Sequence, residues 1–200
     1  MTLQKKGLDR RVRRSKQAFK RTLLDLMKEK TFQSITITEI VERADYNRTT
    51  FYSHYGQKED LVDEIVDDMI AGLITAFRNP YKDVHYVDLN TISPSAIALF
   101  DYILENKEFY RLIINTNVLP GFQEKMIQTI QKLMKEDMVF LHERSKIDID
   151  TDFFIIYRAY GIFGIVLEWI KSDYEKSAEY LAKQLINILN FHSEKVIITI

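Results

Sequence analysis

The sequence contains no cysteine among its 200 residues, and it has only six glycines and three prolines. The absence of cysteine excludes disulfide scaffolds, thiolate zinc sites and cysteine nucleophiles. So few glycines and prolines argue against a β-sandwich or barrel, which needs a turn about every ten residues. Apolar residues make up 46% and charged residues 28%, the balance of an ordinary globular protein. Together these features predict a mostly helical intracellular protein.

Long apolar runs are also scarce. The one candidate for a membrane span covers residues 153–170, and it contains Arg158 and Glu168. Each such charge costs roughly 2.5–3.5 kcal/mol at the centre of a membrane helix, so the stretch predicts a buried helix of a soluble protein. The basic N-terminus is not followed by the apolar segment of about 7–15 residues that a signal peptide requires. We therefore expect no membrane segment and a cytoplasmic protein.

Charge divides the chain into two parts. Residues 1–60 carry 14 Lys and Arg against 8 Asp and Glu, a net charge of +6. Residues 61–200 carry 14 against 21, a net charge of −7. A basic first part indicates a polyanion-binding segment, although a solvated helix face is the alternative interpretation of such a charge run.

Apolar residues recur at spacings of three, four and seven, which is the period of an amphipathic helix. This period predicts a first helix over residues 10–30 and a longer one over 58–77. Further helices are predicted at 94–106, 107–115, 121–143, 152–172 and 176–190. The last five residues, 196–200, resemble a strand more than a helix.

Two short capped helices are predicted between residues 36 and 55. Thr36 and Glu39 form a Thr-x-x-Glu capping box that opens a helix ending near Ala44. A turn follows at residues 45–46, and Asn47 is the expected N-cap of the second helix. The spacing is typical of a helix-turn-helix, and an ordinary helical hairpin is the alternative.

The second short helix is predicted over residues 48–55, with Gly56 closing it. Phe51 and Tyr55 are four residues apart and are expected to pack inward. The side chains expected to face outward are those of Arg48, Thr49, Tyr52 and Ser53. A short helix that exposes such residues can enter a major groove and reach base edges and phosphates.

Residues 40–61, together with the helix before them, resemble the signature of the tetracycline-repressor-like (TetR) family of bacterial transcription regulators. The matching positions are Ile40, Ala44, Asn47, Arg48, Thr50, Tyr52, His54, Tyr55, Lys58, Glu59 and Leu61. The resemblance covers about residues 9–69 in one register without gaps. Asp45 stands where the family usually has glycine, and Gln57 replaces the usual N-cap of the next helix, which puts the start of that helix in doubt.

The resemblance implies an all-α protein. A basic tail (1–8) would precede a three-helix DNA-binding domain (9–69) with its helix-turn-helix at about 36–55. A helical bundle for regulation and dimerisation (70–200) would follow. The DNA-binding residues implied are Thr38, Arg48, Thr49, Thr50, Tyr52, His54 and Lys58. Of these, His54 and Lys58 would hold phosphates, Thr38 would contact the DNA backbone, and the basic segment 5–16 would add salt-dependent affinity.

The resemblance also implies a homodimer on a palindromic double-stranded operator, and a small apolar or aromatic effector. The expected dimer interface consists of Tyr160, Gly161, Gly164, Leu167, Leu181, Leu185 and Ile188, and packing of the two glycines within one chain is the alternative. The expected effector pocket consists of Phe77, Phe100, Phe109, Tyr110, Met126, Phe154 and Tyr157. Since 18 of the 24 aromatic residues lie beyond residue 60, ordinary core packing is the alternative for each of these.

No motif of an enzyme is present. Residues 148–152 imitate the start of a calcium loop, but Phe153 stands where that loop needs glycine and Ala159 where it needs glutamate. Asp150 or Thr151 is better explained as a helix N-cap. The four histidines show no paired metal-ligand spacing. We therefore expect no catalytic residue, no metal and no cofactor. The predicted function is that of a dimeric repressor released from its operator by a small molecule, and the alternative is a co-activator or interaction module whose effector is a partner protein.

Overall fold

The computed structural model describes residues 2–82, 94–116, 121–137 and 149–190, and within these ranges it contains α-helices and two short 3-10 turns but no strand. The helices are α1 (Thr2–Glu29), α2 (Ile37–Arg43), α3 (Arg48–Tyr52), α4 (Lys58–Arg78), α5 (Pro94–Glu105), α6 (Lys107–Thr116), α7 (Phe122–Asp137), α8 (Thr151–Lys171) and α9 (Ala178–Asn190). The 3-10 turns are Phe32–Ser34 and Asn79–Tyr81. The all-α prediction is confirmed.

Two predicted helix bounds near the amino end are wrong. Helix α1 begins at Thr2, where the periodicity predicts a start at residue 10, and α3 ends at Tyr52, where the prediction continues to residue 55. Past Tyr52 the chain forms a turn, in which the amides of His54 and Tyr55 both donate to the Phe51 carbonyl, at 2.9 and 3.0 Å. Gly56 does not adopt the left-handed conformation of a helix-closing glycine. The end of the predicted helix 121–143 and the segment 196–200 lie outside the described residues.

The chain divides into two compact units. The first consists of Met1–Met69 with Leu112–Pro120, and the second consists of Ile70–Arg111 with Gly121–Ile200. In the first unit, Phe19 of α1 is fully buried, and its ring meets the rings of Tyr46 at 5.2 Å and Phe51 at 5.4 Å, both edge-on. Burial of one such side chain contributes about 1.5–3 kcal/mol, so this cluster fixes α3 to α1.

The core of the second unit is rich in aromatic rings. Phe100 of α5 is fully buried and packs edge-on against Trp169 of α8, with ring centroids 5.4 Å apart. Helix α5 also packs on α9, and α7 packs on α8. The Trp169 indole donates to the carbonyl of Lys176 at 2.8 Å, which ties α8 to the segment leading into α9. This unit is therefore held mainly by apolar burial.

Helix α8 is 21 residues long, and its mean hydropathy is 1.6 over an 18-residue window, so its length and composition alone would allow it to cross a membrane. A single helix of this kind is weak evidence, because core helices of soluble proteins pass the same test. One side of α8 is buried in the second unit, through Ile155, Ala159, Phe163, Val166 and Trp169. The predicted buried helix therefore has one buried side and one exposed side.

Candidate nucleic-acid interface

The first helix of the predicted helix-turn-helix is set by its cap. Thr36 Oγ1 accepts from the Glu39 amide at 3.3 Å, and the Glu39 carboxylate accepts from the Thr36 amide at 2.9 Å, which confirms the capping box. Hydrogen bonds from Lys30 and Thr36 lower the pKa of Glu39 to about 2, so it stays ionised. After α2 the chain turns through Asp45, whose φ of 59° is the left-handed conformation that aspartate tolerates well.

Helix α3 is only five residues long, so its own hydrogen bonds cannot keep it folded. Its start is fixed by Asn47, whose Oδ1 accepts from the Thr50 amide at 2.8 Å and from Thr50 Oγ1 at 3.0 Å, as predicted for an N-cap. Its inner side is held by Phe51, which is fully buried. Anchored in this way, α3 presents an outer surface of fixed orientation.

That outer surface carries Arg48, Thr49 and Tyr52, all exposed. Arg48 Nη2 donates to the Thr38 hydroxyl, so the guanidinium lies beside the start of α2. Arginine can form two hydrogen bonds with guanine, and threonine and tyrosine can bond to bases or phosphates. The structure thus brings together four of the seven predicted DNA-binding side chains, while the hydroxyl of a fifth, Thr50, is bound to Asn47.

His54 points inward to α1. Its Nε2 lies 2.8 Å from Ser15 Oγ, and Ser15 is buried with its own proton available to the carbonyls of Arg11 and Val12. We therefore assign the shared proton to His54 Nε2, which donates to the serine. Burial, and secondarily Lys16, lowers the pKa of His54, which disfavours the charged imidazolium. Its phosphate role stays a prediction.

Lys58, the first residue of α4, also points into the protein. Its ammonium donates to the carbonyl oxygens of Phe32 and Ile35, each at 2.8 Å, and of Gln33 at 3.1 Å. The ammonium also lies 4.5 Å from the centroid of the Phe32 ring. The predicted phosphate contact of Lys58 is untested, and in the free protein these carbonyls occupy its donors.

Asp60 caps the start of α4, a role that was not predicted from the sequence. Its Oδ2 accepts from the amides of Gly56 at 2.8 Å and Gln57 at 3.2 Å, and this carboxylate replaces the cap that Gln57 does not supply. The doubt about the start of α4 is thereby removed. The signal was present, since Asp60 stands three residues after Gln57, where a capping box places its acidic member.

The seven predicted pocket residues have different surroundings in the second unit. Phe109 and Tyr110 contact one another and Phe122, a ring that the prediction does not include, with centroids 5.3–6.4 Å apart. Phe100 and Met126 are also buried, whereas Tyr157 is 79% exposed. Phe77 and Phe154 are half-buried, with Phe77 against Tyr81 and Phe154 beneath Arg158. The pocket stays a prediction.

The predicted dimer residues lie at three levels of exposure. Tyr160, Gly161 and Ile188 are exposed, Gly164 and Leu167 are half-buried, and Leu181 and Leu185 are buried within the protomer. Three further exposed apolar residues extend the α8 face: Phe153, Ile156 and Tyr157. Phe153 and Ile156 were not predicted as interface residues, and Tyr157 was predicted in the effector pocket. Their spacing of three and four along the helix puts them on one face.

The described part of the chain holds no group of three or more His, Asp or Glu side chains that could bind a metal ion. His85, His142, His192 and Asp148 lie outside the described residues. Asp150 is the N-cap of α8, because its Oδ1 accepts from the amides of Asp152 at 2.8 Å and Phe153 at 3.2 Å. This confirms the interpretation of that acidic run as a helix cap.

Residues 22–65 match the family described as "Bacterial regulatory proteins, tetR family", and residues 90–191 match that described as "Transcriptional regulator C-terminal region". The chain is 27% identical over 169 residues to the transcriptional activator of the dhaKLM operon, DhaS, of Lactococcus lactis subsp. lactis (strain IL1403), covering 82% of this chain and 83% of DhaS. It is 23% identical over 172 residues to the HTH-type transcriptional regulator YxbF of Bacillus subtilis (strain 168). That match covers 86% of this chain and only 43% of YxbF.

Solved structures show the same fold. A structure of DhaS superimposes with a TM-score of 0.61 at 24% identity, covering 88% of this chain and 93% of that one. A TetR regulator from Streptococcus agalactiae 2603V gives 0.63 at 20% identity, covering 92% and 97%. Proteins of this kind bind operator DNA, typically as dimers, and are not enzymes. The family match over more than half of the chain, on top of the capped helix-turn-helix, shows that this protein belongs to the TetR family of transcriptional regulators.

Proposed function

We propose that the protein binds a palindromic operator in the cytoplasm as a homodimer and reads its sequence with α3. The observation that carries this proposal is the anchored five-residue helix that exposes Arg48, Thr49 and Tyr52 beside Thr38. Arg48, Thr49, Thr50 and Tyr52 supply the contacts to bases and nearby phosphates. Two copies related by a two-fold axis would read half-sites about one helical turn of DNA, or a multiple of it, apart.

The exposed side of α8 and the end of α9 supply the dimer interface. Phe153, Tyr157 and Tyr160 are 73%, 79% and 52% exposed, which is a large apolar surface for one helix. A Cβ added at Gly161 or Gly164 would meet no atom within 4 Å among the described residues beyond its neighbours and its own helix backbone. Both glycines therefore leave open space for a partner helix. This surface supports a two-fold interface in which the same face meets itself.

The first candidate for the sense of regulation is a repressor released by a small apolar or aromatic effector bound among the rings of the second unit. The effect of such a ligand is limited by its differential affinity for the DNA-binding and released states. The second candidate is an activator whose effector is a partner protein, and it is favoured by the similarity to DhaS, a transcriptional activator. A reporter driven by the upstream region separates them, because the protein lowers expression in the first case and raises it in the second.

The DNA-binding proposal is tested by fluorescence anisotropy on the DNA upstream of the protein's own gene and on a scrambled duplex, over roughly 50–200 mM salt. We expect selective binding with two protomers per site, and Arg48→Ala is expected to weaken it. The matched control is Arg21→Ala, which removes the same charge from a residue with an 88% exposed side chain on α1. Equal and weak binding to both duplexes would contradict the proposal for this DNA.

The dimer proposal has its own test in sedimentation equilibrium. Tyr157→Glu places a charge in the proposed interface and is expected to shift the protein to monomers. Tyr52→Glu, on α3, is the control and should leave the dimer intact while abolishing selective DNA binding. A monomeric wild-type protein at concentrations where DNA is bound would refute the interface.

A further inference from the structure

The carbonyl oxygens that bind Lys58 form a cradle at the entry to α2. They belong to Phe32, Gln33 and Ile35, that is, to the 3-10 turn Phe32–Ser34 and the residue that follows it. An ammonium has three protons, and the three carbonyls can use all of them. A peptide carbonyl outside a helix needs a donor or water, and here one side chain serves three carbonyls at once.

The cradle joins elements that are far apart in sequence. Lys58 is the first residue of α4, whereas the carbonyls stand immediately before Thr36, the N-cap of α2. The half-buried Lys58 side chain also lies over the ring of Phe32, which is itself buried. Charge, hydrogen bonding and ring contact therefore all hold the beginning of α2 to the beginning of α4.

The surroundings of Lys58 disfavour a phosphate at this place. The amides of Gly56 and Gln57, which could bind an anion ahead of α4, already donate to Asp60. Hydrogen bonds from the Gln57 side chain and the Gly56 amide lower the pKa of Asp60, so this carboxylate is ionised near neutral pH. A phosphate approaching Lys58 would have to compete with three carbonyls and would meet this negative charge.

We infer that Lys58 is a positioning residue for DNA binding: it holds the turn before α2 to the start of α4 and so orients α3, which lies between them in the chain. The inference rests on the proposed DNA-binding function. A five-residue helix has little stiffness of its own, and the elements on either side of it set its direction. Lys58 acts through the cradle, without touching DNA.

Three variants separate positioning from phosphate contact. Lys58→Met removes the charge and keeps the bulk, and Lys58→Arg keeps the charge. Lys28→Met is the control, since Lys28 lies at the surface of α1, where it pairs with Asp25 one turn away. Binding to the selected upstream DNA is measured by anisotropy over roughly 50–200 mM salt. Amide hydrogen exchange of residues 36–44 is measured in parallel without DNA.

Positioning predicts that Lys58→Met weakens operator binding about tenfold or more, while the slope of log K against log salt stays at the wild-type value. Lys58→Arg is expected to be weakened to within about threefold of Lys58→Met, because a planar guanidinium cannot reproduce an ammonium seated on three carbonyls. Exchange over residues 36–44 should accelerate in both variants, and Lys28→Met should change neither readout.

A phosphate contact predicts the opposite pattern. Two contacts in a dimer would make the slope shallower by about 1.8 in Lys58→Met, and Lys58→Arg would bind like wild type. That result, or unchanged binding by Lys58→Met, overturns the inference. If Lys58→Met does not fold, Lys58→Arg decides it. If the wild type selects no DNA, the proposed function fails, and the exchange data alone decide whether the cradle holds α2.

Discussion

The two compact units differ in how far their ion pairs are shielded from solvent. In the first unit, ion pairs join neighbouring helices: Lys16 and Lys20 of α1 meet Glu64 of α4 at 2.8 and 2.7 Å, and Arg43 of α2 binds both carboxylate oxygens of Glu29. In the second unit, ion pairs between helices such as Lys135 of α7 with Asp152 of α8 lie at the surface. Rings fill its core, as with Phe100 on Trp169, and α8 exposes still more of them.

The two units have different structural requirements. Hydrogen bonds between charged groups are directional, so they fix how one short helix stands against another even where each contributes little free energy. Apolar burial is stronger in sum but non-directional, and it tolerates repacking. A unit that must aim a five-residue helix is served by the first kind of interaction. A unit proposed to dimerise and to take an apolar ligand is served by the second.

The largest effect on stability should come from the aromatic core of the second unit. Phe100→Ala is expected to lower the free energy of unfolding by about 3–5 kcal/mol, because the fully buried ring leaves a cavity beside Trp169. Urea unfolding measures the loss. Phe100→Leu, which refills most of the volume, is the control and should cost much less. A loss below about 1 kcal/mol for Phe100→Ala would show that the buried rings do not dominate the stability of the second unit.

Gly72 of α4 lies in close contact with Tyr102 of α5 in the second unit. A Cβ there would lie 2.1 Å from the Tyr102 hydroxyl and 2.5 Å from the ring carbon that bears it. Gly72→Ala is therefore expected to destabilise the protein by about 1–3 kcal/mol through overpacking, although alanine favours helices. Gly161→Ala is the control, since a Cβ there meets no atom within 4 Å among the described residues beyond its neighbours and its own helix backbone. It should not destabilise monomeric protein, and thermal unfolding measures both variants. Equal effects at both glycines would show that the close contact at Gly72 does not matter.

Glu64 of α4 is the acidic partner of Lys16 and Lys20 in the first unit. Burial raises its pKa, but hydrogen bonds from Lys16 and Lys20 outweigh burial and bring the pKa from 4.5 to about 2. Because the folded-state pKa lies below the unfolded one, the ionised carboxylate stabilises the fold above pH 4.5, and this stabilisation is lost as the pH falls toward about 2. The wild type should lose about 1–2 kcal/mol more than Glu64→Gln between pH 7 and pH 3, a value reduced for solvent screening.

Urea unfolding at the two pH values measures this difference. Asp63→Asn is the control, since it removes the same charge from an exposed position on the same helix. Identical pH profiles for the wild type and Glu64→Gln would show that this ion pair does not stabilise the first unit. A pH-dependent loss of stability as large as that caused by Phe100→Ala would show that this ion pair stabilises the protein as much as a buried core ring does.

The smallest expected effect on stability is at the start of α3. Asn47→Ala removes the side-chain acceptor for the Thr50 amide and should cost about 1 kcal/mol. Asn47→Asp keeps an acceptor and should restore most of the stability. Thermal unfolding measures both variants, and equal stability of Asn47→Ala and the wild type would mean that packing of Phe51 alone holds the helix.

Much of the first unit could be predicted from local sequence. The Thr36–Glu39 capping box, the turn at Asp45 and the Asn47 cap each involve residues within three positions of one another, so the pattern shows them directly. The TetR-type fold followed from the same segment. The start of α1 at Thr2 was not predicted because the two apolar residues of its first turns, Leu3 and Leu8, are five apart and do not fit the helical period.

The contacts between distant residues could not be predicted. Nothing in the pattern around Lys58 points to carbonyls that lie 23 to 26 residues earlier in the chain, and Ser15 gives no local sign that it receives His54. For the second unit, periodicity located the helices, but it does not tell which aromatic residues face the core and which, like Tyr157, face outward.

Whether α3 reads DNA sequence is tested directly by a binding profile of the wild type and Arg48→Ala over every single-base-pair variant of the operator. Arg48→Ala is expected to lose discrimination at one or two symmetric positions, about 1–3 kcal/mol at each, and to keep the wild-type preference elsewhere. A uniform weakening across all variants, with the preference at every position intact, would contradict it and assign Arg48 to the phosphate backbone.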